Sequence, residues 1–291
     1  MTTLLLNDLR EMVAAKQAVV FVGSGISVGA TEGAAAASWV GLLRTGVERC
    51  RELHLVGDDW CARVKAEIDS SDVDDLISAA EKVSKKLKAP DGPEYGRWLE
   101  DTIGKLKPAK RAVIEALRNL DIPLITTNYD DLIEDVTGLP SVTWREPRRV
   151  EKILRNDEKA VVHLHGHWRA PGSVILGIRS YESVLQDEHT QAILRAIRTM
   201  KTLIFVGFGG GLDDPNFGAL RAWSRKALSG GHQRHYRLAL EREVPELRAK
   251  HADEERVFVL PYGKHHDELE TFLHSIGGSV AVGGGGSANP S

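Results

Sequence analysis

The chain has 291 residues, 42% of them apolar, and 38 basic against 41 acidic side chains give a formal charge of −3. That length supports one large domain with an insertion, or two modest ones, without covalent staples, and the near-balanced charge removes any general reason to expect a nucleic-acid backbone as a direct partner. Two cysteines, Cys50 and Cys61, are too few for a disulfide framework or a four-thiolate zinc site.

Apolar runs such as Ala18–Val22 and Leu203–Gly207 fall far short of the roughly 20 residues of a membrane span. No basic region followed by a long apolar one opens the chain, so a cytoplasmic protein with reduced thiols is expected. Six short apolar runs, Ala18–Val22, Pro123–Thr126, Ala160–Leu164, Thr202–Val206, Tyr236–Leu240 and Val257–Leu260, alternate with helix-like segments. This is the pattern of an α/β protein: a Rossmann-like, mainly parallel sheet with helices on both faces. Ligands of such sheets gather at the carboxyl ends of the strands, and the site is expected there.

Between the first two strands, Trp39–Leu53 and Val73–Leu87 carry apolar residues at three- and four-residue spacing, which predicts amphipathic helices. Residues 39–120 are read as a helical insertion in a domain spanning 1–276, punctuated by Gly33–Ala37 and by a Pro-Asp-Gly-Pro turn at Pro90–Pro93. The insertion is expected to cover or gate the site; an interaction surface is the alternative. From Gly277 to Ser291 the chain becomes Gly-rich and aperiodic, as a flexible tail or linker does, and its Gly283–Ser287 run carries no functional reading.

Four segments carry polar chemistry at strand ends. Val19–Ser27 runs a buried strand into Gly23-Ser24-Gly25; glycines there let backbone amides approach a phosphate, and a following helix adds a positive field. A tight structural turn makes the same demand, and no Gly-Lys-Ser/Thr follows, which counts against an ATPase. In Ile125-Thr126-Thr127-Asn128-Tyr129-Asp130-Asp131, amide and carboxylate side chains either meet a ligand's polar edge or cap a helix over Tyr129–Val136. In Val161-Val162-His163-Leu164-His165-Gly166-His167-Trp168, strand alternation would put the three imidazoles on one side, though Gly166 is expected to end the strand. Without a supporting cysteine or carboxylate motif they read as one acid/base group with structural neighbours rather than as a metal site. The run Gly207-Phe208-Gly209-Gly210-Gly211-Leu212-Asp213-Asp214-Pro215 offers a second surface of exposed amides for a phosphate or ribose, with Asp213 or Asp214 either in the site or capping a helix.

Taken in order, Gly-Ser-Gly-Ile-Ser, Thr-Thr-Asn-Tyr-Asp, His-Leu-His-Gly and Gly-Phe-Gly-Gly-Gly-Leu-Asp-Asp-Pro-Asn resemble the sirtuin-like NAD-binding family, in particular its bacterial NAD-hydrolase branch of antiphage defence. The resemblance covers residues 17–274, including Pro261–Leu269. It implies that Gly23, Ser24, Gly25 and Ser27 form the phosphate loop. Asn128 and Asp130, with Thr127, surround the nicotinamide ribose, and His165 is the catalytic histidine, with His163 at the place of a glutamate. Gly207, Gly209 and Asp213 fall on the adenosine side, where Gly209 replaces a serine common in relatives.

Lysine-deacylating sirtuins carry two Cys-x-x-Cys pairs and a Pro-Asp-Phe-Arg stretch, and both are absent here. The resemblance therefore implies a hydrolase with NAD as its substrate and no zinc, releasing nicotinamide and ADP-ribose. An NAD-dependent deacylase and a noncatalytic NAD- or ADP-ribose-binding assembly module are the alternatives. It further implies a homo-oligomer, or a defence partner such as a HerA-type ATPase or an Argonaute-type protein.

Overall fold

The computed structural model describes residues 2–70, 72–88, 93–209 and 233–278. Asp213 and the rest of the glycine run beyond Gly209, the turn residues 90–92 and the tail from 279 onward lie outside the described residues. Seven strands form one all-parallel sheet: β1 (Ala18–Val22), β2 (Leu124–Thr126), β3 (Ser141–Thr143), β4 (Val161–His163), β5 (Thr202–Val206), β6 (His235–Leu240) and β7 (Val257–Gly263), in the order β3-β4-β2-β1-β5-β6-β7. β1 and β5 coincide with the runs read from the sequence. β2 and β4 are each shorter, β6 begins one residue earlier, and β7 continues through Pro261 along the sheet edge, where a missing N–H is tolerated. The seventh strand, β3, carries only Val142 as an apolar residue, so no hydrophobic run announces it.

β1 lies at the middle, in register with β2 from Val20↔Leu124 to Val22↔Thr126 and with β5 from Ala18↔Thr202 to Val22↔Val206. Its alternation divides the core. Val20 and Val22 face one layer with Leu124, Ile204 and Tyr236, covered by α1 (Thr2–Ala14), α2 (Ser24–Ala30), α7 (Ala112–Asn119), α8 (Leu132–Thr137) and α13 (Glu268–Ile276). Val19 and Phe21 face the other with Ile125, Val162 and Phe205, covered by α9 (Pro147–Leu154) and α11 (Glu188–Met200). Both faces are dry, which is why these strands read as continuous apolar runs.

The segment between β1 and β2 is helical: α3 (Trp39–Glu52), α4 (Asp58–Asp69), α5 (Val73–Lys88) and α6 (Glu94–Thr102) share a separate apolar cluster, whereas α7 packs on the sheet. Ser38 caps α3 by accepting from the Gly41 amide at 3.0 Å. α10 (Ile178–Gln186) and α12 (Val244–Ala249) complete the set. No helix among the described residues is long and apolar enough to cross a membrane.

Trp98, 1% exposed, packs over Gly46 and donates its indole N–H to Thr45 Oγ1 at 3.0 Å. Trp98→Ala leaves a cavity and an unused acceptor in the helical cluster, and urea unfolding should show a loss of about 3–5 kcal/mol.

Candidate functional site

The strand order reverses direction between β1 and β5, and at such a switch point the loops leaving the two strands diverge and open a crevice. A cavity of about 540 Å³ occupies it, within the range of small-ligand sites. Ser24, Thr127, Asn128, Asp130, His165, Gly207 and Gly209 lie on its wall. Gly23, Gly25 and Ser27 stand directly behind that wall.

The β1 exit and the β5 exit touch. The Gly23 amide donates to Val206 O and the Gly25 amide to Gly207 O, both at 2.9 Å. A Cβ on Gly25 would come within 2.8 Å of Gly207 O, so glycine is needed for the approach. These two amides are therefore spent inside the protein, and of this turn it is Ser24 that reaches the cavity.

Asn128 ties the β2 exit to the same place. Its Nδ2 donates to Gly23 O at 3.1 Å and to Ser27 Oγ at 2.8 Å. The Gly23 carbonyl can only accept, which fixes the orientation of the amide and leaves Oδ1 as the side chain's remaining polar atom. Helix capping by Asn128 is thus replaced by a tertiary link. Ser27 Oγ passes its own proton to Asp130 Oδ2 at 2.7 Å, while Asp130 Oδ1 accepts from the Leu132 amide at 3.1 Å at the start of α8. Burial pushes the Asp130 carboxyl above its ordinary pKa, opposed by the donors Ser27 and Leu132 and by the charge of His163.

The three histidines divide. β4 ends at His163, so strand alternation does not extend to the others. His165 is 4% exposed, lines the cavity and meets the Tyr181 ring edge-on at 5.8 Å. Gly166 has φ +84°, and a Cβ there would lie 2.1 Å from Ser173 O; this crossing turns His167 away from the cavity. His167 Nδ1 accepts from the Arg169 amide at 3.2 Å, and its Nε2 lies 2.7 Å from Asp131 Oδ1, off the line of a good hydrogen bond. Asp131 also accepts from Trp168 Nε1 at 2.7 Å and Arg169 Nη2 at 2.8 Å. Burial works against its charge, yet His167, Arg169 and Trp168 together hold the carboxyl well below the usual range.

His163 contacts acceptors at both ring nitrogens: Nδ1 is 2.9 Å from Asn128 O and Nε2 is 2.6 Å from Glu134 Oε1. Glu134, His163 and His167 each bring a ligand-type atom within 4.8 Å of the others. Two ligands about 2.0–2.2 Å from one zinc stand roughly 3 Å or more apart. The closer contact between Glu134 and His163 is one joined by a proton.

Of the remaining wall, Tyr129 and Phe208 fall inside the second and fourth motifs, and the other residues lie outside any motif. The helical segment supplies Trp39, Val40, Leu42, Val73, Leu76 and Ile103, the sheet side supplies Tyr129, Tyr181 and Phe208, and Lys250 brings an ammonium group. Buried Arg237 donates to Phe208 O at 2.9 Å and also to Gly209 O, bracing the β5 exit from β6. Distance along the chain hid the residues outside the motifs. The buried polar position of Arg237 inside the run Tyr236–Leu240 was their one visible signal.

Residues 123–260 match the family model of the SIR2-like domain. The match supports a sirtuin-like relationship over that segment. It runs from the residue before β2 into β7 and takes in Asn128, Asp130, His165 and Gly207, whereas Gly23–Ser27 precede it. Gly166→Ala should strain the turn and displace His165, lowering the thermal midpoint by several degrees and weakening ADP-ribose binding in calorimetry.

Proposed function

We propose that this protein is an NAD glycohydrolase that cleaves the nicotinamide–ribose bond and transfers the ribosyl carbon to water. The observation that carries this reading is the convergence of Asn128, the Ser27–Asp130 pair and His165 on one cavity at the carboxyl ends of β1, β2 and β4. Departure of nicotinamide leaves oxocarbenium character on the ribose, and a carboxylate and a carbonyl oxygen fixed beforehand stabilise that charge more than they stabilise the ground state.

Asp130 supplies the carboxylate. Asn128 Oδ1, left over once Nδ2 is committed, accepts a hydrogen bond from the attacking water or a ribose hydroxyl and holds it for attack. His165, an imidazole buried against Tyr181, takes the proton that the water or hydroxyl releases. The oxygen–carbon bond forms as the carbon–nitrogen bond breaks, and nicotinamide leaves neutral. Ser24, Gly207, Gly209 and Lys250, the last ion-paired with Glu246 at 3.0 Å, lie on the wall where the phosphates and the adenosine side would rest. Thr127 borders the ribose, and Gly23, Gly25 and Ser27 shape the loop from behind.

The apolar roof from the helical segment excludes water other than the one being placed. Unrestrained cleavage would empty a cell's cofactor pool, so a role in antiphage defence, gated by self-assembly or by a partner such as a HerA-type ATPase or an Argonaute-type protein, accords with the family branch that the motifs resemble.

Asn128→Ala and His165→Ala should each cut nicotinamide release at least about a hundredfold; His165→Ala should leave the thermal midpoint nearly unchanged, whereas Asn128→Ala, which takes a donor from Gly23 O and Ser27 Oγ, should lower it by a few degrees without unfolding the chain, as chromatography of products and calorimetric melting would show. Nicotinamide release that requires an acetyl-lysine peptide and deacetylates it would instead identify a deacylase. Binding without turnover, with the native partner present, would identify an assembly module.

A further inference from the structure

We infer that Glu134 and His163 are positioning residues for cleavage: an ion pair, its imidazole fully buried and its carboxylate partly so, that fixes the backbone carbonyl of Asn128, and with it the side chain that faces the cavity. The inference rests on the reading of this cavity as an NAD site. Neither residue lines the cavity, so any effect on chemistry passes through Asn128, whose carbonyl His163 contacts, or through the charge felt by Asp130.

The geometry fixes one proton of the ring on Nδ1. A backbone carbonyl has no proton to give, so His163 Nδ1 must donate to Asn128 O. Nε2 faces the Glu134 carboxylate at 2.6 Å, and a neutral ring with its single proton on Nδ1 would set a lone pair against that negative oxygen. The arrangement is satisfied by an imidazolium that donates at both ends. His163 is fully buried, and the second Glu134 oxygen, Oε2, is buried without a hydrogen-bond partner, so little besides the imidazolium compensates this carboxylate.

The groups facing His163 are Glu134 from α8, Asp130 from the β2–α8 loop and the His167 ring at 4.6 Å. Burial works against the charge on His163, and the Glu134 carboxylate, the Asn128 carbonyl and Asp130 outweigh it, so its pKa lies above the ordinary value.

Asn128 is held at four points. Its amide donates to Thr126 Oγ1 at 3.0 Å, its carbonyl accepts from His163, and its Nδ2 reaches Gly23 O and Ser27 Oγ. Of these, the His163 contact is the one whose strength changes when a proton is lost. A charge-assisted bond weakens to a neutral one, and the carbonyl with its side chain gains room to move at a site where small displacements are costly.

Glu134→Gln tests this, because the amide is nearly isosteric and can still donate to a neutral His163. The positioning effect is present below the folded pKa of His163 and disappears as pH rises through it. Removing the carboxylate lowers that pKa and moves the loss to lower pH. Relative to wild type, the variant should keep its thermal midpoint within a few degrees and its KM within about twofold. Its kcat should fall about tenfold near pH 8 and recover near pH 6. A histidine-selective nitrogen–proton NMR titration, which needs no turnover, should show the His163 midpoint falling by at least about one pH unit.

An unchanged His163 midpoint, or pH profiles of kcat that superimpose, would overturn the inference. So would a loss of kcat that is the same at every pH, which marks a merely structural role. A wild-type chain that releases no nicotinamide would defeat the glycohydrolase reading instead, and the imidazole titration would still decide whether Glu134 holds the charge on His163.

Discussion

The carboxamide of Asn128 bonded to Gly23 O and Ser27 Oγ is the interaction on which the site depends. Parallel neighbours bring their carboxyl ends together, but the loops leaving them diverge, and something must hold those loops in one constellation. Here a single amide spans the β1 and β2 exits, Ser27 extends the link to Asp130, and the Asn128 backbone continues it through His163 to Glu134. Every member except the partly exposed Glu134 is buried, where an unmade hydrogen bond costs more than a made one contributes. The network therefore has one good arrangement and many poor ones, which is the condition for a preorganised site.

The two glycine exits set the floor of the cavity in a different way. Gly25 and Gly207 approach so closely that their amide and carbonyl satisfy each other. Sequence alone could not separate this from phosphate binding, because both require a backbone without a Cβ in the way. Steric contact and ligand contact are then divided within one turn: Gly23 and Gly25 hold it against β5, and Ser24 faces the cavity.

What the sequence made legible follows from how each feature is encoded. β1 and β5 are apolar throughout because both faces are covered, and their limits could be read to the residue. β3 could not, since a three-residue strand with one apolar side chain has no periodicity to detect. Asn128, Asp130 and His165 were visible because each follows a strand, where polar residues are out of keeping with the preceding run. Glu134 was not, because a glutamate in an amphipathic helix looks like any solvent-facing acid until His163 is seen beside it. Trp39, Tyr181 and Lys250 reach the cavity from remote parts of the chain, and nothing local distinguishes them from core or surface.

Strand order also governs the sequence of events in synthesis. β1 is made before either of its neighbours, which begin at Leu124 and Thr202. Long-range parallel pairing has to wait for both, and a nascent chain carries Ala18–Val22 with one edge open until Thr202–Val206 has left the ribosome. A segment of five apolar residues left unpaired for that long is an aggregation hazard, and the helical segment that separates it from β2 lengthens the wait. The strand order that opens a crevice in the finished protein thus also delays the pairing of its central strand during synthesis.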